Sequence, residues 1–284
     1  MDWFVDPRRG QWLQERIPSL GMMVPSGMPA YARILHPVDA YRDADDSAQV
    51  WSWSDVAVRN GATVDDSSEW WDITDDGMAE EWSDGWAVSE PNHGAIAPAL
   101  LSSFVPALAA HTERGGDITV AVWEGWGFAG PSEPSTYFSV AVDGDTADQS
   151  DPFLAIGEER RKATDPRLIA MDEFEGGAYE RAVRGEDVGE FPFPRFDLPD
   201  RRYALGSTTL VDLAKAEWPF RSGLGWVQGD AGGTMPQLIW PADETWCISI
   251  EVDAPYTVVA GPHELVRALL ALPGVEGHAI REPR

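Results

Sequence analysis

Residues 245–260 read Thr245-Trp246-Cys247-Ile248-Ser249-Ile250-Glu251-Val252, then Asp253-Ala254-Pro255, then Tyr256-Thr257-Val258-Val259-Ala260. The first eight alternate with period two. Trp246, Ile248, Ile250 and Val252 project to one side, and Cys247, Ser249 and Glu251 to the other, which is the signature of a strand with one apolar face. Asp-Ala-Pro is turn chemistry, and a second apolar run follows it directly, so the stretch predicts an antiparallel hairpin. The same alternation recurs at 31–36, 118–123 and 137–142, with a shorter candidate at 203–205.

Working outward, the helical signals are fewer. Residues 262–272 predict a helix: Pro262 suits its start, Glu264 its first turn, Leu265, Leu269 and Leu272 its apolar stripe, and Pro273-Gly274 its end. Residues 98–112 predict a helix that Pro106 kinks or splits. Helices are also predicted at 54–60, 208–218 and 6–17. The stretch 191–199 carries three prolines and three phenylalanines and reads as an extended connector whose rings need burial. Strands with hairpin spacing and scattered helices give an α+β class, a mainly antiparallel sheet with helices packed on one face. Strand–helix alternation and a glycine-rich phosphate loop are both missing, which argues against a doubly wound nucleotide fold. The expectation is one domain over residues 1–284, with an acidic, tryptophan-containing insertion at about 61–92.

Bulk composition bounds the function. Forty-eight acids stand against 21 bases, a formal charge of −27, and the only lysines are Lys162 and Lys215. A chain so charged repels a phosphate backbone, so no nucleic acid partner is expected. The single cysteine, Cys247, excludes an internal disulfide and a cysteine-rich zinc site. The first residues lack a basic start followed by an apolar run, and the weakly polar stretch 94–110 is short and holds two prolines. The expectation is a cytoplasmic protein with no membrane partner.

The acids are concentrated. Between Arg59 and Arg114 there is no Lys or Arg, while eleven Asp and Glu share the stretch with Trp70, Trp71, Trp82 and Trp86. Disordered acidic runs are poor in aromatics. This one is therefore expected to fold back onto the body with some indoles buried.

Three pieces of the chain carry a resemblance: residues 24–37 (Val-Pro-Ser-Gly-Met-Pro-Ala-Tyr-Ala-Arg-Ile-Leu-His-Pro), His111-Thr112 followed by Val122-Trp123-Glu124-Gly125-Trp126-Gly127, and residues 238–261 around the hairpin. Together they resemble a family of proteins of high-GC Gram-positive bacteria that has no established activity. The resemblance implies kinship and no chemistry.

Sequence signatures of catalysis are missing: no Gly-x-Ser-x-Gly, Walker loop, His-Glu-x-x-His or Cys-x-x-Cys occurs. Asp143, Asp145, Asp148 and Asp151 suggest a calcium loop, but the glycine is misplaced and Leu154 stands where the closing glutamate belongs. A polar turn explains them better, and neither a metal nor a cofactor is expected. The best remaining constellation is Trp123, Glu124 and Trp126 after one strand, Asp243 and Glu251 flanking another, and His36 ending a third. If the sheet brings these ends together, carboxylates beside indoles would bind a ligand or exchange protons. Alternatively, Glu124 and Glu251 pair with Arg33 or Arg201 and organise the sheet. The leading expectation is a non-catalytic binding protein whose acidic surface takes a basic protein or a small cationic ligand. A small-molecule hydrolase or ligand-binding enzyme using those carboxylates is the alternative.

Overall fold

The computed structural model describes residues 1–17, 23–42, 47–74, 80–113, 116–128, 152–187, 189, 191–199, 201–228 and 233–283. In chain order its strands are β1 (Asp2–Trp3), β2 (Ala30–Leu35), β3 (Val38–Arg42), β4 (Ser47–Trp51), β5 (Glu80–Glu81), β6 (Ala87–Val88), β7 (Asp117–Trp123), β8 (Phe196–Leu198), β9 (Arg201–Thr209), β10 (Leu238–Pro241), β11 (Cys247–Ile250), β12 (Tyr256–Gly261) and β13 (Gly277–Ile280). The helices are α1 (Gln11–Arg16), α2 (Trp53–Arg59), α3 (Trp70–Ile73), α4 (Pro98–Ala110), α5 (Pro152–Ala163), α6 (Pro166–Val183), α7 (Leu210–Leu213) and α8 (His263–Leu270).

The predicted hairpin is present as β11 and β12, paired antiparallel from Cys247↔Ala260 to Ile250↔Thr257. It sits inside a nine-stranded sheet of order β1-β9-β7-β10-β11-β12-β2-β13, with β8 also on β9, and every described pairing is antiparallel. The α+β class and the large antiparallel sheet are thus as the alternation indicates. On one face Ile34, Val120, Ile239, Ile248 and Val259 pack under Leu101, Phe104 and Leu108 of α4 and Leu265 and Leu269 of α8.

The other face is not the polar one that Cys247, Ser249 and Glu251 suggest. Cys247 and Ser249 are buried, and Tyr31, Leu205, Leu238, Trp240 and Val258 share a second core with Trp12 and Leu13 of α1 and with Met23. A serine is tolerated there because its hydroxyl donates to the Met23 carbonyl at 2.7 Å.

The acidic stretch belongs to a smaller sheet, of order β4-β3-β6-β5, that opens at Val38 rather than at 61. With α2 and α3 it encloses Val38, Trp53, Val56, Trp70, Ile73, Trp86 and Val88. Trp70 and Trp86 are buried, as the mixture of acid and indole suggests, whereas Trp71 is 63% exposed.

Several helices differ from expectation. α4 runs unbroken through Pro106, whose ring is on the exposed side. At 208–218 only one helical turn forms, because Thr208 and Thr209 extend β9 against Ile118 and Asp117, and the Thr209 hydroxyl then caps α7. α5 and α6 carry no clean apolar period; Leu168 and Met171 of α6 are buried in the main core. In the connector, Phe196 is buried and Phe191 and Phe193 are partly buried. The expected strand at 137–142 and the acidic run 143–151 lie outside the described residues. No described helix is long and apolar enough to cross a membrane.

Candidate functional site

Strand register decides which of the nominated side chains can meet. β7 ends at Trp123, which pairs with Tyr203 at the start of β9, and the Trp123 amide donates to Gln237 Oε1 at 2.8 Å. The Ile250 amide donates to the Gln237 carbonyl, so Glu251 lies at this same end of the sheet. His36 follows β2, and its amide donates to the Pro255 carbonyl in the turn beyond Glu251. Asp243 is elsewhere. It follows Pro241, which pairs with Ile118 at the opposite end of β7, a strand length of about 20 Å away. Its carboxylate accepts from the Thr245 amide and hydroxyl and from the Glu113 amide, so it organises a turn there. The expected grouping of Asp243 with Glu124, Glu251 and His36 is therefore corrected.

At the shared end, alternation of β9 sends its arginines to opposite faces. Arg201 turns to the face of Tyr203 and ion-pairs with Glu251, and its guanidinium lies 5.2 Å from the Trp123 ring centre. Burial raises the Glu251 carboxyl above its ordinary range, and the Arg201 charge opposes this. On the other face, Glu124 is nearly inaccessible. Arg195 Nε donates to its Oε1 at 3.1 Å and Arg195 Nη2 to its Oε2 at 3.3 Å, while Arg202 Nε stands 3.5 Å from Oε2. Both arginines also hold Glu175 of α6. Arg195 lies 3.5 Å over the Phe191 ring. Burial raises the Glu124 carboxyl too, against the pull of both guanidiniums.

Trp123 and Trp126 meet edge to face at 6.0 Å. Gly94 is required beside them. Its φ is +68°, and a Cβ there would stand 2.7 Å from the Val252 carbonyl oxygen and 2.9 Å from the Trp126 ring. An open cleft of about 520 Å³ borders Trp123, Glu124, Asp172, Glu175 and Arg202.

His36 is fully engaged. Nδ1 lies 2.6 Å from the Asn92 carbonyl oxygen, which can only accept, so Nδ1 carries the proton. Nε2 then accepts from the Thr257 hydroxyl at 2.8 Å. Burial drives its pKa down to about 4, against the Asn92 hydrogen bond. The ring is a neutral structural bridge.

Of the two alternatives for the carboxylates, Glu251 takes Arg201, Glu124 takes Arg195 and Arg202, and Arg33 goes to Glu69. Sequence reasoning missed Arg195, Arg202 and Glu175. Arg195 sits in a proline-rich connector and Glu175 on a helix without apolar periodicity, so neither announces its partner. Among the described residues no group of three or more His, Cys, Asp or Glu side chains is arranged to hold a metal ion. Comparison with protein-family models, with curated proteins and with solved structures returns no match.

Proposed function

We propose that this chain is a non-catalytic binding protein whose negative surface docks a basic protein partner. The observation that carries the reading is how the positive charge is used. Among the described residues at least thirteen Lys and Arg side chains stand in ion pairs. The chain holds 48 acids against 21 bases, and Asp39, Asp65, Asp66, Asp72, Glu81 and Glu90 are exposed on the smaller sheet unit. Such a surface attracts a cationic partner from a distance and repels copies of itself. The buried Glu124 carboxylate is held by guanidiniums on both oxygens, and the half-buried Glu251 carboxylate meets Arg201 through Oε1.

The test is capture of partners from source cells at 20 mM salt, then titration of the purified partner over salt concentration. Association should slow at least about tenfold between 20 and 300 mM salt, and Glu124→Gln/Glu251→Gln should bind as wild type. Absence of any partner at low salt sinks the reading. One observation favours a second reading, a small-molecule site: the 520 Å³ cleft beside Trp123 and Glu124. That reading requires Glu124→Gln to abolish ligand binding while leaving protein capture intact.

A further inference from the structure

β13 is the last strand of the large sheet, with β2 on one side and no strand on the other among the described residues. The phase of its ladder follows from one bond. The Leu35 amide donates to the Glu276 carbonyl at 2.9 Å, and the register runs Gly277↔Ile34, His278↔Arg33, Ala279↔Ala32, Ile280↔Tyr31. Because antiparallel hydrogen bonds alternate, Glu276, His278 and Ile280 turn their backbone groups to β2, and Gly277 and Ala279 turn theirs outward. No hydrogen bond from a described residue reaches those outward groups. Ala279 is exposed. Exposed edges of this kind are templates for another strand unless the chain blunts them.

At the Gly277 end this edge opens into a groove of about 640 Å³, the space between the two sheets. Its apolar lining is Leu35, Pro37, Val50, Trp51 and Val275, and Val50 is 69% exposed. β4, which supplies Val50 and Trp51, is itself the edge strand of the smaller sheet. The charged side chains in the lining are Asp55 and Glu276, both acidic. A second copy of a chain of charge −27 is disfavoured as the occupant by repulsion.

We propose that the β13 edge and the adjoining β4 groove receive an extended segment of the basic partner by strand addition. This rests on the basic-partner reading and places its docking surface. Main-chain groups of the segment pair with Gly277 and Ala279. One row of its side chains covers Val50, Trp51 and Val275, and its cationic side chains face Asp55 and Glu276. Affinity in this mode comes from the backbone and specificity from alternate side chains.

The probe is a fluorescein-labelled alternating Lys-Val octapeptide, read by anisotropy at 20 mM salt beside an alternating Glu-Val octapeptide and an oligolysine. Ala279→Pro removes the outward amide without touching the ladder to β2, and Val50→Lys alters the groove with no backbone change. The Lys-Val peptide should bind at least tenfold more tightly than the Glu-Val peptide. Each variant should weaken it at least tenfold, with thermal melting unchanged, and exchange protection should appear at the Gly277 and Ala279 amides. If both variants bind it as wild type, or protection appears elsewhere, the edge is not the site, although the basic-partner reading stands. If neither the Lys-Val peptide nor oligolysine binds at 20 mM salt, both fall. Oligolysine binding without Lys-Val binding overturns the edge proposal alone.

Discussion

Acid should unfold this protein through His36 before most of its carboxylates are protonated. In the fold the imidazole is neutral, buried, and held between the Asn92 carbonyl and the Thr257 hydroxyl, with a pKa lowered to about 4 from an ordinary 6.5. Unfolded, it takes a proton as pH falls below 6.5, while the native ring does not until about 4. The stability this group contributes is therefore complete above pH 6.5 and is lost progressively down to about pH 4. A gap of that width is worth about 3.4 kcal/mol in total, and the slope near pH 5 is about 1.2 kcal/mol per pH unit. The assay is urea unfolding followed by tryptophan fluorescence at half-unit steps from pH 7 to 4, with His36→Asn and His36→Gln alongside. At pH 7 the variants should be less stable by about 1–3 kcal/mol, having lost one of two buried hydrogen bonds. As pH falls the wild-type curve should descend onto theirs. If the difference between wild type and variants stays constant from pH 7 to 4, the neutral, buried bridge is wrong.

Three further outcomes follow from the packing. Glu251→Gln leaves the part-buried Arg201 charge without its partner and should cost about 1.5–3 kcal/mol. The double change Arg201→Met/Glu251→Leu should cost less than the sum of the single changes in a double-mutant cycle of denaturant midpoints, because no charge is then stranded. Cys247 is completely buried and its thiol pKa is raised by burial, so a disulfide-exchange reagent should label it only after denaturant is added. Rapid labelling of native protein would contradict the second core. Pro106 interrupts the hydrogen-bond ladder of α4 on its exposed side, so Pro106→Ala should raise stability by up to about 3 kcal/mol in chemical denaturation. A destabilised variant would mean that the ring is a packing element.

The period-two runs at 31–36, 118–123 and 245–252, the Asp-Ala-Pro turn and the stripe of 262–272 were enough to determine the antiparallel sheet and the helix on its face. Local geometry writes these signals: alternation and helical spacing depend on the next few residues. The tryptophans among the acids likewise announced a folded unit, since indoles that large are buried when they can be. Everything that joins distant residues was decided by tertiary structure. Ser249 read as part of the strand's polar face until Met23 and its neighbours covered it, because burial of a strand's second face depends on what packs there, not on the strand. Glu124 and Glu251 read as possible acids and bases until Arg195, Arg202 and Arg201 arrive from 50 to 78 residues away in sequence. Asp243 read as their neighbour until strand register set it at the other end of the sheet. The open edge of β13 follows from the sheet order, in which no described strand lies beyond it. The pattern along a chain encodes which surface a residue shows, and the fold alone decides what that surface meets.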